Sequence, residues 1–418
     1  MNAMRRGRRF KLLRVSTRSY VCSLLICLLA LTASAQEHEG PWKRHTIDDS
    51  SKGADGVRLA DANDDGLMDI ATGWEEGGIV RLYLNPGPEK SKEKWPAVTV
   101  GPAKNVEDAV MIDLDGDGAM DVVSSCEGKT KTMFVHWGPK DKAKLLDEDA
   151  WVTEAIPATV GKQQWMYCLP KGARRSDGAH VLYVGSKGKG AAVGSLISGE
   201  DPRNLDEWTY LRFSEASWIM SIRHYQNKAF EYDFVLVTDR RGKTRGIYRI
   251  HDHDLEPQVI QQNKAEYMFA DAVPHPKDEL YTLIAVATRD GFIQLYDDLS
   301  SQRTFGQPTR VPNPFDIKQG KAVAIGSIDQ DGPYDLVVSF NTQGTKGMPG
   351  VAWIKVLPYK DPKDWPAYDI SGLEGKKFDR IELIDLDGDG DLDVLTCEEA
   401  DNLGVIWYEN PFGKAEDQ

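Results

Sequence analysis

Three short segments rich in aspartate recur at wide intervals along the chain. They are "DANDDG" at Asp61–Gly66 and "DLDGDG" at both Asp113–Gly118 and Asp385–Gly390. Each is followed two residues later by another aspartate and then by an apolar run. Carboxylates crowded in this way repel one another, so a bound cation is the first chemistry that this pattern indicates.

The spacing of the oxygen ligands predicts which cation binds. Each loop reads D-x-[DN]-x-D-G-x-x-D, with a glycine at position 6 for the sharp turn and a position-7 carbonyl as a further ligand. Calcium takes six to eight oxygens from such loops. The position-12 glutamate of an EF-hand is missing and the flanks read as strands, so the loops predict an EF-like site inside a β-hairpin. Solvated acidic turns are the alternative. The predicted ligands are Asp61, Asn63, Asp65, Asp69, Asp113, Asp115, Asp117, Asp121, Asp385, Asp387, Asp389 and Asp393.

A fourth segment, "SIDQDGPYD", keeps part of the same pattern. Asp329, Asp331 and Asp335 occupy ligand positions, but Ser327 stands at position 1. We therefore expect three calcium sites and, at most, a weak fourth.

The apolar runs after these loops belong to a longer repeat. Seven such runs start 50 to 60 residues apart, and each lies in a unit of short segments rich in β-branched and aromatic residues. Four such segments per unit, the last often opening with tryptophan, predict an all-β fold: a seven-bladed β-propeller of four-stranded blades.

The ends of the chain predict how this ring closes. The seventh unit lacks a fourth segment, whereas Trp42–Asp48 is a tryptophan-led strand with no unit of its own. We expect the N-terminal strand to complete the last blade, which removes an exposed sheet edge. The predicted propeller spans residues 36–411, with a C-terminal tail at 412–418.

Residues 1–35 have the pattern of a signal peptide. They combine a basic segment, a 13-residue apolar run and a small-residue cleavage site at Ala35. An uncleaved membrane anchor is the alternative; with cleavage, no membrane span remains. These residues hold 7 of the 51 basic residues and no acidic one, so the rest has 44 basic against 65 acidic residues. The sequence predicts an exported, periplasmic or secreted monomer, and its acidity argues against nucleic-acid binding.

The repeated loops resemble those of the FG-GAP/VCBS repeat proteins, the family of the calcium-binding propellers of integrin alpha chains. The resemblance covers nearly all of the chain after residue 35; its motif is complete in three blades and partial in one. It implies the propeller fold and bound calcium. It does not imply a ligand or an activity, because propellers serve many functions.

The opposite end of the ring carries loops that differ from blade to blade. Acidic, basic and aromatic residues meet there, a combination suited to a sugar. We therefore predict a binding or adhesion module for a carbohydrate or an extracytoplasmic protein. A lyase, dehydratase or hydrolase acting on a sugar at the same mouth is the alternative, and an ordinary hydrated surface is also open. The candidate ligand-binding residues are Glu75, Glu127, Trp165, Trp218, Asp239, Arg240, Tyr267, Arg289, Arg380 and Glu398.

Overall fold

The structure is a computed structural model that describes residues 40–171, 179–225, 234–251, 254–275, 282–297, 306–332 and 334–413. The predicted signal peptide lies outside these residues, as do residues 36–39 and 414–418. Within the described ranges there is no α-helix, and no helix is long and apolar enough to cross a membrane. The described residues form 28 strands in seven four-stranded antiparallel sheets, which confirms the predicted all-β propeller.

The strands follow one another blade by blade. Blades one and two contain β2 (Ala54–Ala60), β3 (Asp69–Trp74), β4 (Ile79–Tyr83), β5 (Ala97–Pro102), β6 (Val106–Ile112), β7 (Asp121–Cys126), β8 (Met133–Trp137) and β9 (Val152–Ala155). Blades three and four contain β10 (Gln164–Pro170), β11 (Val181–Lys187), β12 (Ala192–Ile197), β13 (Thr209–Glu215), β14 (Ile219–Tyr225), β15 (Phe234–Asp239), β16 (Gly246–His251) and β17 (Asp254–Gln261). Blades five and six contain β18 (Tyr267–Pro274), β19 (Thr282–Thr288), β20 (Phe292–Asp297), β21 (Thr309–Pro312), β22 (Gly320–Gly326), β23 (Asp335–Phe340), β24 (Val351–Ile354) and β25 (Ala367–Asp369). Blade seven contains β26 (Phe378–Ile384), β27 (Asp393–Glu398), β28 (Gly404–Glu409) and β1 (Lys43–Asp48).

Short 3₁₀ turns occur in several connections. They are Pro88–Lys90, Lys142–Lys144, Glu148–Ala150, Pro157–Thr159, Leu205–Glu207, Pro314–Asp316 and Pro362–Asp364.

The N-terminal strand closes the ring, as the sequence predicts. β1 pairs antiparallel with β28, from Lys43 opposite Glu409 to Thr46 opposite Ile406. The innermost strand of each blade contacts that of the next, and β26 of blade seven contacts β2 of blade one. The last blade therefore has the same four strands as the others, and its third strand has no unpaired edge.

The core lies between neighbouring blades. Second strands such as β3, β7 and β27 are buried along their whole length, because sheets pack against both of their faces. Their β-branched and small residues suit this two-sided packing. Cys126, Cys168 and Cys397 are buried and free.

A tryptophan precedes the outer strand in four blades and holds the connection that leads into it. The indole Nε1 donates to a backbone carbonyl earlier in the same connection, at 2.9–3.0 Å. The donor residues are Trp95, Trp151, Trp208 and Trp365. This repeated hydrogen bond explains why tryptophan marks the fourth strand in the sequence.

Candidate functional sites

The aspartate loops join the first and second strands of blades one, two, six and seven. The last aspartate of each loop accepts two backbone hydrogen bonds. Asp121 accepts from Leu114 N at 3.0 Å and from Gly138 N at 2.9 Å, and Asp393 accepts from Leu386 N and Asn410 N, both at 2.9 Å. Asp69 and Asp335 make the same pair of contacts in blades one and six. The position-9 aspartate therefore ties the loop to the end of the third strand, whether or not a metal binds.

The first aspartate of each complete loop shapes the turn. Asp113 accepts from Gly116 N at 2.7 Å and Gly118 N at 3.2 Å, and Asp385 makes the equivalent contacts with Gly388 and Gly390. Gly118 has φ = 89° and Gly390 has φ = 92°, a region that side chains other than glycine rarely adopt. The glycine at position 6 is thus required by the backbone of the turn.

Carboxylates converge in the loops of blades two and seven. Ligand atoms of Asp113, Asp115 and Asp121 lie within 4.8 Å of one another, as do those of Asp385, Asp387 and Asp393. Burial, together with nearby carboxylates, raises the pKa of Asp121 and of Asp393 to about 7. A hard divalent cation suits such oxygen clusters, because it offsets the repulsion that raises these pKa values.

Basic side chains from neighbouring blades contact the same loops. Arg203 Nε of blade three lies 2.5 Å from Asp115 Oδ2, and Lys92 Nζ of blade one lies 2.9 Å from Asp387 Oδ2. Both contacts use the position-3 carboxylate, which leaves the position-1 and position-9 carboxylates free of basic partners among the described residues.

The loop of blade six differs from the complete loops. The Lys355 ammonium forms ion pairs with both Asp329 and Asp331, the second at 2.7 Å. A side-chain cation therefore already contacts two of the three carboxylates, Asp329 and Asp331, that the sequence assigned to a weak fourth metal site. Together with Ser327 at position 1, this lysine explains how the turn persists without the full ligand set.

A pocket of about 260 Å³ lies at the opposite end of the ring, at the mouth of the central channel. Strand register places one residue of each blade at equivalent positions where the second strand ends. We call these residues the mouth ring: Glu75, Glu127, Lys187, Arg240, Arg289, Asn341 and Glu399. A second set lies one layer deeper on the innermost strands, and we call it the inner ring: Asp55, Glu107, Met166, Met220, Met268, Lys321 and Asp379.

Charge is segregated around these two rings. Blades seven, one and two contribute only carboxylates to both rings, and we call this the acidic side. Blades three, four and five contribute Lys187, Arg240 and Arg289 to the mouth ring and methionines to the inner ring, and we call this the basic side. Blade six, with Asn341 and Lys321, lies between them. The pocket thus presents opposite charges to the two ends of a ligand.

The acidic side contains a buried carboxylate that has no direct ion pair among the described residues, although the charge of Lys377 lies nearby. Asp55 is 6% exposed, and its carboxylate forms no hydrogen bond or ion pair with any residue in the described ranges. Its ligand atoms lie within 4.8 Å of those of Asp379 and Glu399, which pair with Lys321 and Lys377. Burial first, and then the neighbouring carboxylates, raise the pKa of Asp55 well above its ordinary value.

A second carboxylate cluster lies beside it. Glu75, Glu107 and Glu127 bring ligand atoms within 4.8 Å of one another, and Lys187 pairs with Glu127 and, at 3.4 Å, with Glu107. Burial and the charges of Glu107 and Glu399 raise the pKa of Glu75 to about 7. Near neutral pH the acidic side therefore contains both protonated carboxyl groups and negatively charged carboxylates.

The basic side is built around the Trp218 ring. Lys187 Nζ lies 4.7 Å from the ring centroid, Arg240 Cζ 4.8 Å and Arg241 Cζ 4.7 Å, all within cation–π range. Glu266 is the carboxylate nearest to both arginines, at 3.3 Å from Arg240 Nε and 3.6 Å from Arg241 Nε. Burial, followed by the like charges of Arg289 and Arg241, lowers the pKa of Arg240.

Ion pairs occupy the channel further along the innermost strands, toward the aspartate loops. Arg58 donates two hydrogen bonds to Asp108, at 2.7 and 2.6 Å. Arg380 Nε donates to Glu382 at 2.6 Å. These buried pairs lie below the pocket and separate it from the aspartate-loop end.

The candidate ligand-binding residues fall into two groups. Glu75, Trp218, Arg240 and Arg289 line the pocket, and Glu127 adjoins it through Lys187. The other candidates lie elsewhere and in the structure do not line the pocket: Trp165, Asp239, Tyr267, Arg380 and Glu398.

The buried candidates make structural contacts instead. Asp239 accepts hydrogen bonds from Ser217 N and Trp218 N, both at 2.8 Å, and Glu398 accepts from five backbone N–H groups. Trp165 and Tyr267 are fully buried between blades. Sequence reasoning missed the inner ring, although three of its seven residues stand directly beside residues that were chosen: Met166 beside Trp165, Met268 beside Tyr267 and Asp379 beside Arg380.

These features define the molecule as a seven-bladed β-propeller with acidic hairpin loops at one end and a charged pocket at the other. The family described as FG-GAP-like repeat matches residues 61–124, which span the loops of blades one and two. The chain is thus a seven-bladed propeller whose first two blades match the FG-GAP-like repeat. No curated protein matches it.

Solved structures share the fold at low sequence identity. The BP39L lectin from Burkholderia pseudomallei has a TM-score of 0.54 and 13% identity, covering 86% of this chain and 99% of the lectin chain. BBS1N, solved in complex with ARL6DN, has a TM-score of 0.52 and 12% identity, covering 89% of this chain and 98% of that chain. At these identities the likeness concerns the fold.

Proposed function

We propose that the protein is an exported, calcium-stabilised propeller that binds a carbohydrate in the pocket at the channel mouth. The observation that carries this proposal is the pocket itself. On a scaffold that repeats seven times, the mouth ring and inner ring hold carboxylates on the acidic side, and cations and methionines on the basic side. A small set of directed polar groups over an apolar floor, here Met166, Met220 and Met268, is typical of small-molecule sites.

Calcium has a structural role in this proposal. The loops of blades one, two and seven supply the oxygen ligands, and a cation held there would stabilise the hairpins from which the innermost strands begin and end. Export follows from the signal-peptide pattern of residues 1–35. Both points are open to direct measurement, by calcium-dependent melting and by the N-terminal sequence of the protein recovered after expression.

The pocket size supports a single sugar unit as the ligand. Pockets for drug-sized molecules are commonly about 300–1,000 Å³, so 260 Å³ suits something smaller. One propeller of similar fold is named a lectin, which agrees with the proposal. The main support for carbohydrate binding is the arrangement of charges in this chain's own pocket.

One observation favours a second candidate, an enzyme acting on the same ligand. Asp55 is a buried carboxyl group that faces the pocket and that burial keeps protonated to unusually high pH. A protonated carboxyl group that faces a pocket is the arrangement expected of a general acid. The second candidate is therefore a sugar lyase, dehydratase or hydrolase.

A glycan-binding screen run beside a turnover assay tests both candidates. We expect the wild-type protein and Asp55→Asn to bind the same saccharides. If the protein is an enzyme, Asp55→Asn lowers turnover by ~10²–10⁴ while affinity is retained, the range for loss of a general acid. If no saccharide binds and none is converted, the proposed function is wrong.

A further inference from the structure

The basic side of the pocket has more positive charge than the described residues neutralise. Glu266 is shared by Arg240 and Arg241 through contacts of 3.3 and 3.6 Å, longer than the 2.7–2.9 Å of a good arginine–carboxylate hydrogen bond. Arg289 donates to the neutral amide of Gln319 and forms no ion pair with a described residue. Two guanidinium groups therefore line the pocket without a closely bound carboxylate.

Of these groups, Arg240 has the strongest need for a counter-ion. Its side chain is only 7% exposed, so it has lost most of its contact with water. It lies beside Arg241 and Arg289, whose like charges make its own charge harder to maintain. A buried cation among other cations is stabilised when an anion joins them.

The Trp218 ring holds these cations in place. Lys187, Arg240 and Arg241 all lie within 4.8 Å of its centroid, so cations cover the ring. The ring is therefore not available for stacking against a sugar. Trp218 is better described as a positioning residue for the arginines.

We propose that the pocket is specific for an acidic sugar, a uronic acid unit whose carboxylate is held by Arg240 and Arg289. This inference rests on the proposed carbohydrate function and names the substrate class. The planar guanidinium matches a carboxylate in two parallel hydrogen bonds. The hydroxyl groups of the sugar then point to the acidic side, where Asp55, Glu75 and Glu107 are hydrogen-bond partners.

The acidic side also limits the charge of the ligand. Six carboxyl groups belong to the two rings in blades seven, one and two, and those of Glu75 and Asp55 hold their protons to raised pH. A singly charged ligand lying across a pocket of 260 Å³ keeps its anionic end on the basic side. A dianionic phosphate ester would bring a second negative charge close to these carboxylates.

Matched pairs of sugars test the proposal by titration calorimetry on the whole protein with calcium present. The pairs are glucuronate with glucose, galacturonate with galactose, and mannuronate with mannose; galactose 6-sulfate tests the other common monoanionic sugar. We expect at least one uronate to bind at least tenfold more tightly than its neutral partner. We expect that preference to fall as salt concentration rises, because part of the interaction is ionic.

Arginine variants test whether Arg240 and Arg289 bind the carboxylate of the uronate. Arg240→Gln and Arg289→Gln should each weaken uronate binding by about tenfold or more, the loss typical for a charge-assisted hydrogen bond. Binding of a neutral sugar should change by less than about twofold. Arg240→Lys keeps the charge without the fork and should bind with intermediate affinity. Arg212→Gln, an exposed arginine on β13, is the matched control and should bind like wild type.

The outcomes separate this inference from the proposed function. Equal affinity for a uronate and its neutral partner, or preference for galactose 6-sulfate, overturns the uronic acid assignment and leaves carbohydrate binding intact. Absence of binding by every sugar overturns both. If Arg240→Gln does not fold, Arg289→Gln and the salt titration still decide, since a uronate preference unchanged by either contradicts the proposal.

Discussion

The two ends of the propeller follow different rules. At the aspartate-loop end, four blades make the same pair of hydrogen bonds through Asp69, Asp121, Asp335 and Asp393. At the mouth end, seven equivalent positions hold glutamates, lysine, arginines and asparagine. Repetition thus marks what the blade needs in order to fold, and variation at equivalent positions marks what the repeat leaves free for a ligand.

A smaller comparison within the loop end supports this distinction. In blades two and seven the clustered carboxylates include a complete motif, whereas in blade six Lys355 pairs with Asp329 and Asp331. The position-9 aspartate makes the same pair of backbone contacts in both cases. The hairpin therefore tolerates either a side-chain cation or, by our proposal, a metal ion.

Deletion of residues 36–48 should have the largest effect, because it removes a structural element shared by the ends of the chain. Trp42 and Ile47 would leave the core, and the edge of β28 would be exposed. We expect aggregation or a large drop in melting temperature, measured by size-exclusion chromatography and calorimetry. A truncated protein that elutes and melts like the intact one would show that closure by β1 is not needed.

Calcium should raise the melting temperature by several degrees. At 100 times its dissociation constant, a ligand that binds only the native state adds about 2.7 kcal/mol. Asp117→Ala and Asp389→Ala should each remove part of the shift, as read by calorimetry with calcium and with chelator. Asp331→Ala in blade six is the matched control and should leave the shift unchanged. A melting curve that ignores chelator would contradict the calcium assignment.

Two residues near the ends of the second strands of blades four and seven, Arg240 and Glu398, should give opposite phenotypes. Glu398→Gln replaces one of the two oxygens that together accept from five backbone N–H groups with an NH2 donor, so we expect lower stability with unchanged sugar affinity. Arg240→Ala should leave the melting temperature nearly unchanged and weaken ligand binding. Trp218→Ala should also weaken binding, because the cations would lose their platform. The reverse pattern, with Glu398→Gln defective only in binding, would place the site differently.

The smallest expected effect is a change in the pH dependence of stability at Glu75. Its pKa is about 7 in the folded protein against an ordinary value of 4.5, so the folded state binds the proton more tightly. Its contribution to stability is therefore present below pH 4.5 and is lost as pH rises to about 7. Glu75→Gln should show a shallower fall in unfolding free energy over this window in urea titrations. Parallel pH profiles for the two proteins would contradict the assigned shift.

The sequence predicted the ring well because its signals repeat. The seven apolar runs and the tryptophans before the outer strands recur at equivalent positions in the blades. The orphan strand at Trp42–Asp48 matches the fourth strand that the last unit lacks. The aspartate turns were predictable for the same reason, since the spacing of the ligands also sets the hydrogen bonds of the turn.

The pocket was harder to predict because side chains alternate across a strand. Asp239 and Arg240 are neighbours in sequence, yet the first points into the blade and the second into the pocket. The same one-residue difference separates Glu398 from Glu399. Without strand register, a charged pair at the end of a strand does not reveal which member faces the channel.

A crystal structure of the protein grown with calcium and the tightest-binding sugar would show directly which end of the propeller binds the ligand. We expect sugar density between Asp55 and Arg240 at the mouth, with calcium separately in the loops at Asp113–Asp121 and Asp385–Asp393. Sugar bound at the aspartate-loop end, with the mouth pocket holding only water, would contradict it.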